Sequence, residues 1–370
     1  MQRDVPFLAL PIARAAETAL LLQDGSPVWP VAAGDAEALG ELAAVFGCEI
    51  APVEPERCRT AAAPPGSGSA LVGCFDEELV PVAMLYAHLT GRGWTRLRSL
   101  EDLRSESLQV VLLDAEELTF ELLEVVTAAA APARGIVTGD GYRDVRRQAL
   151  LRAATTRFAM RSAPHRVDVL PAVPVGTVAS DARTLIGGSA SAEELRSALE
   201  RGESVVHVLA HSDGIDAFLA NDLLLCPMTP ALIGARTSAM PRCALTKFCH
   251  VENAAFEEIR RTGRLIHPRE LRAPVLVYNS CWGILPANGW VDTIWSSGFS
   301  FASNPQIGAL ITTWEISVVE SSDADVLIER ILLGETLGEA VAAYNTDSEA
   351  ARTRGHRLAL FGDPAMTLCR

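Results

Sequence analysis

The chain has 370 residues, of which 49% are hydrophobic and 21% are charged, and its formal net charge at pH 7 is -14. This length and composition predict a substantial buried core in one large domain or two ordinary ones. The negative charge argues against a nucleic-acid partner, and no apolar run reaches the roughly 18 residues that would make a membrane an expected partner.

The first part of the chain is predicted to alternate strands and helices. The earliest elements are short strands at 7–10 and 18–22 and a helix at 35–46. Residues 61–69, which read A-A-A-P-P-G-S-G-S, have the composition of a flexible linker. Apolar runs then predict strands at 70–75, 108–114 and 135–138, separated by helices at 78–90 and 115–131. Such alternation predicts a parallel sheet with crossover helices.

The second part of the chain repeats this alternation. Residues 163–188, rich in proline and glycine, are interpreted as a second linker-like region. The predicted elements that follow are strands at 204–210, 273–280 and 308–314 and helices at 192–200, 318–333 and 336–351. We therefore predict an N-terminal α/β region at 1–165 and a second domain at 166–370.

Eight arginines lie between Arg134 and Arg166, opposed in that stretch only by Asp140 and Asp144. They predict either a basic patch or the solvated face of a helix, and the solvated face is the favoured interpretation. Lys247 is the only lysine, a bias that fits a GC-rich bacterial genome better than a binding function.

Two predicted strands of the second part end in residues that carry chemistry. The stretch V-V-H-V-L-A-H-S-D-G delivers His211 at a strand end, and A-P-V-L-V-Y-N-S-C-W-G delivers Cys281. Parallel sheets commonly place functional residues beyond the carboxyl ends of their strands. A cysteine nucleophile needs a base such as histidine, because its free pKa near 8.5 leaves little thiolate at neutral pH. Either residue alone is more often a packing residue, and it is the pairing that indicates catalysis.

The motifs H-S-D-G and N-S-C resemble the histidine and cysteine motifs of caspase-like peptidases, which include the gingipains and the bacterial CHAT-domain proteases. Farther along, I-G-A-L-I-T-T-W-E and the closing L-F-G-D-P-A-M-T-L resemble segments of the CHAT and gingipain-like members. The resemblance covers about Ser191 to the C-terminus. It implies a three-layer caspase-like (caspase-hemoglobinase) sandwich, mostly a parallel sheet flanked by helices, with an N-terminal α/β subdomain.

The resemblance also implies a site and a reaction. His211 would be the base and Cys281 the nucleophile of a cysteine endopeptidase that acts through a thioester. The backbone N–H groups of Cys281 and of Ser212 or Asp213 would form the oxyanion hole. The other residues assigned to the oxyanion and substrate-binding set are Gly214, Ser280 and Trp314. No cofactor is implied, and the expected partners are a protein or peptide substrate and an activating protein.

Two departures from the family pattern keep other functions open. Most relatives have glycine directly after the histidine, where this chain has Ser212, and the 70 positions from His211 to Cys281 indicate an insertion. The alternative is a catalytically silent caspase-like module that binds a partner protein. Peptide ligation through the same thioester is a further alternative. Trp314 is interpreted either as a wall of the substrate groove or as a core residue.

The insertion contains Cys226, Cys243, Cys249 and His250, which have the ligand types of a structural zinc site. Their spacing is poor for zinc, so the alternatives are buried thiols or a substrate-gating or self-cleaved loop, and the predicted site contains no metal. The eight cysteines form no dense disulfide framework, and the first eleven residues lack a secretory signal. Both observations lead us to expect a cytoplasmic protein.

Overall fold

We describe the protein from a computed structural model. The structure describes residues 5–9, 29–31, 35–48, 50–52, 70–128, 133–156, 158, 160, 163–201, 204–219, 223–228, 265–287, 292–316 and 322–368.

The described residues form a small sheet and a large one. The small sheet is parallel and has the order β2-β1-β3, with β1 at Val5–Ala9, β2 at Trp29–Val31 and β3 at Ile50–Pro52. The large sheet has 14 strands. These are β4 Leu71–Cys74, β5 Gly93–Arg96, β6 Leu108–Asp114, β7 Gly135–Gly139, β8 Arg166–Leu170, β9 Thr177–Ala179, β10 Arg183–Gly187, β11 Val205–Ser212, β12 Ala217–Phe218, β13 Leu224–Leu225, β14 Leu265–Ile266, β15 Ala273–Ser280, β16 Ile307–Thr313 and β17 Leu358–Phe361.

Ten strands of the large sheet form two parallel blocks that run in opposite directions, and β9, β12, β13 and β14 extend the second block. The first block contains β5, β4, β6, β7 and β17, and the second contains β16, β15, β11, β8 and β10. They meet where β17 pairs antiparallel with β16, with Leu358 opposite Thr313. The carboxyl ends of the second block therefore lie on the same sheet edge as the amino ends of the first block.

Helices cover both faces of this sheet. The helices are α1 Asp35–Val45, α2 Val80–Thr90, α3 Phe120–Val126, α4 Tyr142–Thr155, α5 Ala192–Glu200, α6 Ser297–Ala302, α7 Asp325–Leu332, α8 Leu337–Asp347 and α9 Glu349–Arg354. One core cluster joins α1, α2, α4, α7, α8 and α9 to one sheet face, and a second joins α3, α5 and α6 to the other. The predicted three-layer α/β architecture, with a mostly parallel sheet flanked by helices, is confirmed.

The strands that carry the predicted site form at the apolar segments from which they were predicted. All eight residues of β15 and all seven of β16 are buried, as expected for apolar strands covered on both faces. The strands predicted at 204–210, 273–280 and 308–314 are confirmed as β11, β15 and β16. The strand predicted at 18–22 and the linker at 61–69 lie outside the described residues, and the domain boundary at 165/166 stays a prediction.

The interpretation of residues 163–188 as linker-like was wrong, because they form β8, β9 and β10 at the centre and side of the second block. All five residues of β8 are buried, including Arg166 and Asp168. Ion pairing makes this burial tolerable, since Arg166 donates to Asp168 at 2.6–2.8 Å.

The arginine-rich stretch is a solvated helix face only in part: Arg143, on α4, is exposed. Arg134, Arg146, Arg152 and Arg166 are buried. Arg152, on α4, donates to the carbonyls of Ala302, Ile307 and Gly308 and so fixes α4 to the start of β16. Its burial lowers the pKa of the guanidinium to about 10. Arg152 therefore helps to hold the helix layer against the sheet.

Two predicted helices are shorter than expected. The segment at 115–131 forms a 3-10 turn at Ala115–Glu117 and then α3, because the Thr119 hydroxyl accepts the Leu122 N–H and starts a new helix there. The helix predicted at 318–333 is described from Asp325 onward as α7, and residues 317–321 lie outside the described residues. No helix within the described residues is long and apolar enough to cross a membrane.

Candidate active site

His211 and Cys281 occupy equivalent positions on neighbouring strands. In the parallel pair β11 and β15, Ala210 is the register partner of Ser280, so the next residue on each chain is His211 on one side and Cys281 on the other. Adjacent strands lie about 4.8 Å apart, and in-register residues of parallel strands project to the same face. The fold thus brings the two predicted residues together at the carboxyl edge of the second block.

Both residues are accessible from solvent. His211 is exposed and Cys281 is half-buried, whereas Val205 to Val208 of β11 are buried. Other thiols differ in environment: Cys226 is buried, and burial together with the nearby Glu117 carboxylate raises the pKa of Cys74 to about 11. A nucleophile must be reachable and able to ionise, and Cys281 meets the first of these conditions.

The turn after His211 is held by its own side chains. Ser212 Oγ donates to the Asp216 carbonyl at 2.7 Å and accepts the Gly214 N–H at 2.9 Å. The Asp213 carboxylate accepts the N–H groups of Ile215 at 3.0 Å and Asp216 at 2.9 Å. Asp213 is therefore a turn-forming carboxylate in this structure.

This turn also touches the loop that follows Cys281. Gly214 has a φ of 93°, which favours glycine, and a Cβ added there would lie 3.3 Å from Trp282 Cβ and 3.2 Å from Leu285 Cδ1. Because the Asp213 N–H donates to the Asp216 carbonyl at 3.3 Å, Ser212 is the better of the two predicted oxyanion donors.

The end of β16 fixes the backbone beyond Cys281. Trp282 N–H donates to the Glu315 carbonyl at 3.1 Å, and Gly283 N–H donates to Thr313 Oγ1 at 3.1 Å. Thr313 Oγ1 in turn donates to the Ser280 carbonyl, so one hydroxyl bridges both sides of the nucleophile. Trp282 has a φ of 47°, the one positive φ of a non-glycine residue within the described chain. Such a conformation persists only where neighbouring contacts enforce it.

The remaining predicted site residues are buried. Ser280 is fully buried beneath the strand end, and Trp314 is 3% exposed with its ring centroid 6.3 Å from that of Phe120. These surroundings match the core interpretation of Trp314, and its role as a groove wall stays a prediction. The catalytic and oxyanion roles of the whole set also stay predictions at this point.

Sequence reasoning missed a polar cluster beneath the site. His207 Nδ1 donates to Asp168 Oδ1 at 2.9 Å, and Arg183 Nε donates to Asp168 Oδ2 at 2.6 Å. Burial raises the pKa of Asp168, but the hydrogen bonds from His207 and Arg166 outweigh it and bring the value to about 2. His207 is fully buried. Only the register of β8 with β11 reveals its partner.

The described part of the predicted zinc site gives no support for zinc binding. Cys226 is buried, whereas Cys243, Cys249 and His250 lie outside the described residues. Among the described histidines, cysteines and acidic residues, no group of three or more is placed to hold a metal ion.

Comparisons with known proteins find similarity only at the level of solved structures. No family model matches the chain, and a search of curated proteins finds no match. The complex of the pro- and mature domains of Porphyromonas gingivalis RgpB aligns with a TM-score of 0.43 at 10% identity, over 80% of this chain and 79% of that one. The Arg-specific cysteine proteinase gingipain R aligns with a TM-score of 0.42 at 10% identity, over 82% and 80% of the two chains.

Proposed function

We propose that this protein is a caspase-like cysteine endopeptidase in which Cys281 is the nucleophile and His211 the general base. The observation that carries the proposal is the register of β11 with β15, which sets His211 beside Cys281 at an accessible sheet edge. A thiol with an adjacent imidazole is sufficient for peptide-bond hydrolysis without a cofactor.

The proposed reaction has two halves. His211 takes the proton of the Cys281 thiol, the sulfur attacks the peptide carbonyl, and the oxyanion accepts the N–H groups of Cys281 and Ser212. His211 then gives its proton to the leaving amine as the C–N bond breaks, leaving a thioester. A water molecule loses a proton to His211 and attacks the thioester, releasing a carboxylate and restoring the thiol.

The closing L-F-G-D-P segment has a structural role in the described fold. Asp363 is fully buried and binds the Arg92 guanidinium through both oxygens at 2.6–2.7 Å. It also accepts the Tyr86 hydroxyl at 2.5 Å. This motif therefore ties the last strand to α2 and β5, and membership in the CHAT-type branch rests on the sequence resemblance alone.

The substrate is proposed to be a polypeptide, with cleavage released by an activating protein. A cytoplasmic location is part of the proposal, because the eight cysteines of the sequence form no dense disulfide framework. A binding module without catalysis remains the second candidate, since the residue after His211 is Ser212, whose hydroxyl is tied into the turn.

A peptide-library digestion analysed by mass spectrometry tests the proposal. The wild type, Cys281→Ala and His211→Ala should be compared with Cys48→Ala, which removes another half-buried thiol. We expect cleavage by the wild type and by Cys48→Ala, and none by the other two variants. Incorporation of ¹⁸O from labelled water distinguishes hydrolysis from ligation, which would yield a new amide. The absence of Cys281-dependent products, with or without cell lysate as a source of activator, would favour the binding module.

A further inference from the structure

A cavity of about 430 Å³ lies beside α3, and we call it the arginine pocket. Its charged lining residues are Arg104, Arg134, Arg357, Glu121 and Glu124. The three guanidinium groups outnumber the two carboxylates, in a protein whose net charge is -14. The pocket is therefore a local exception to the negative field of the molecule.

Arg134 is the strongest sign that this pocket receives an anion. Its side chain is 1% exposed, and Nη2 donates to the Ser105 carbonyl at 3.2 Å. Nε and Nη1 are also buried, and neither has a hydrogen-bond partner among the described residues. The neighbouring residues 129–132, Ala-Ala-Ala-Pro, contribute no acidic side chain. A buried guanidinium with two unmatched donor groups calls for an acceptor, and a carboxylate is the acceptor that it binds best.

The other two arginines also remain available. Arg357 is half-buried and makes no hydrogen bond or ion pair within the described part of the chain. Among the described residues, Arg104 pairs only with Glu101, at 3.4 Å and with both side chains exposed, which is a weak contact. Glu121 and Glu124 are exposed and form no ion pair with these arginines in the described structure.

The arginine pocket lies on the same sheet edge as the candidate dyad. Arg357 directly precedes β17 and Arg134 directly precedes β7, and the amino ends of these strands share the edge where Cys281 follows β15. Counting strands in the sheet order places β17 two strands and β7 three strands from β15. At about 4.8 Å per strand, the separations across the sheet are roughly 10 and 14 Å.

Residue contacts connect the arginine pocket with the surroundings of Cys281. Glu315, whose carbonyl accepts the Trp282 N–H, is close enough to Arg357 for that charge to act on its carboxylate. Trp314 packs against Phe120, the first residue of α3, and α3 forms one wall of the pocket. An extended polypeptide advances about 3.3 Å per residue, so one that crosses Cys281 reaches the pocket after three or four residues.

We infer that the arginine pocket binds the carboxylate of an acidic residue of the polypeptide substrate, three or four residues from the bond that is cut. This inference deepens the proposed peptidase function and rests on it. The pocket would thereby select acidic segments although the molecule as a whole repels them.

Matched peptides test the inference once a cleaved sequence is known. Two peptides should differ only in Glu or Gln at three or four residues from the cleaved bond, on either side. We expect the wild type to cleave one Glu peptide with a kcat/KM about tenfold higher, as a charge-assisted hydrogen bond implies. Arg357→Gln and Arg134→Gln should remove this preference. Arg98→Gln, an exposed arginine beyond β5 on the opposite edge, should keep it.

A binding measurement distinguishes an error in the inferred arginine pocket from an error in the proposed peptidase function. Calorimetry on the Cys281→Ala variant should show tighter binding of the Glu peptide, and Arg357→Gln should abolish the difference. Cleavage without any acidic preference would overturn the inference and leave the proposed function standing. Arginine-dependent binding without Cys281-dependent cleavage by the wild type would support the pocket and overturn the peptidase. If inorganic phosphate at equal concentration displaces the Glu peptide and binds as tightly, the pocket is a small-anion site and the inference fails.

Discussion

Asp168 and His207 face each other across β8 and β11 as register partners, with Oδ1 and Nδ1 2.9 Å apart. The same carboxylate binds Arg166 and Arg183, and Arg166 continues to Asp325 at the start of α7 at 2.5 Å. One buried carboxylate thus joins three strands and a helix beneath the strand that ends in His211. Its loss would leave an imidazole and two guanidinium groups without their common partner.

We predict that Asp168→Asn lowers the free energy of unfolding by about 3–5 kcal/mol, the range expected when one member of a buried ion pair is removed. Asp181→Asn, at an exposed residue between β9 and β10, should change it by less than about 0.5 kcal/mol. Urea denaturation of the three proteins measures both values. Equal stability of Asp168→Asn and wild type would show that the cluster contributes little.

The same carboxylate predicts an acid-dependent loss of stability. Its pKa is about 2 in the folded protein, below the usual aspartate value of 3.8, so its contribution to stability is fully present above pH 4 and is lost as pH falls through 2. The difference corresponds to roughly 2 kcal/mol. Urea midpoints between pH 5 and 2 should fall more steeply for the wild type than for Asp168→Asn. If the urea midpoints of the two proteins fell equally with pH, the acid-dependent loss of stability would not come from Asp168.

The fold was predictable where burial and composition agree. β11 and β15 read as apolar runs between breakers, so their strands and their shared direction followed from sequence. β8 was missed because the prolines and glycines of residues 163–188 indicated a linker, and the burial of Arg146 and Arg152 on α4 was missed because arginines are typical of a helix surface. Their partners are far away in sequence: Arg152 binds carbonyls about 150 positions later. A local sequence pattern does not predict such long-range contacts.

The candidate site was predictable only in its two reactive residues. Their positions at strand ends locate His211 and Cys281, but the strand order that makes them neighbours is a tertiary property. The Thr313 hydroxyl binds Gly283 and Ser280, and Gly214 lies close to Trp282. These contacts join segments that lie tens of residues apart in the sequence. The arginine pocket depends on the reversal between the two blocks, which no local pattern encodes.

Asp363 should be a second anchor of stability. Because it is fully buried and neutralises Arg92, Asp363→Ala should cost about 3–5 kcal/mol. Asp347→Ala, an exposed carboxylate at the end of α8, is the matched control and should cost less than about 0.5 kcal/mol. Chemical denaturation followed by circular dichroism measures the difference. A similar midpoint for the two variants would refute the anchoring role.

Gly214→Ala should lower kcat more than the same substitution does at another glycine with a positive φ. The new methyl group would press on Trp282 and Leu285, and the positive φ adds about 1–2 kcal/mol of strain. Gly141→Ala is the control, because Gly141 has a φ of 79° and open space around its Cβ position. Both variants should lose similar stability, and only Gly214→Ala should lose most of its kcat. Equal kcat values would mean that the turn does not position the site.

Thr313→Val tests whether the hydroxyl that bridges Ser280 and Gly283 positions the nucleophile. The substitution preserves the branched shape but removes the bond to the Ser280 carbonyl and the acceptor for the Gly283 N–H. We expect kcat to fall about tenfold or more with little change in KM, since loss of orientation affects the reacting geometry rather than substrate binding. Thr312→Val removes a comparable bond, from Thr312 Oγ1 to the Tyr278 carbonyl at 2.8 Å, one residue farther back along β16. Each variant should lose about 1–2 kcal/mol of stability. If both lower kcat equally, the effect reflects general loosening of β16 against β15, whereas a loss confined to Thr313→Val identifies Thr313 as a positioning residue.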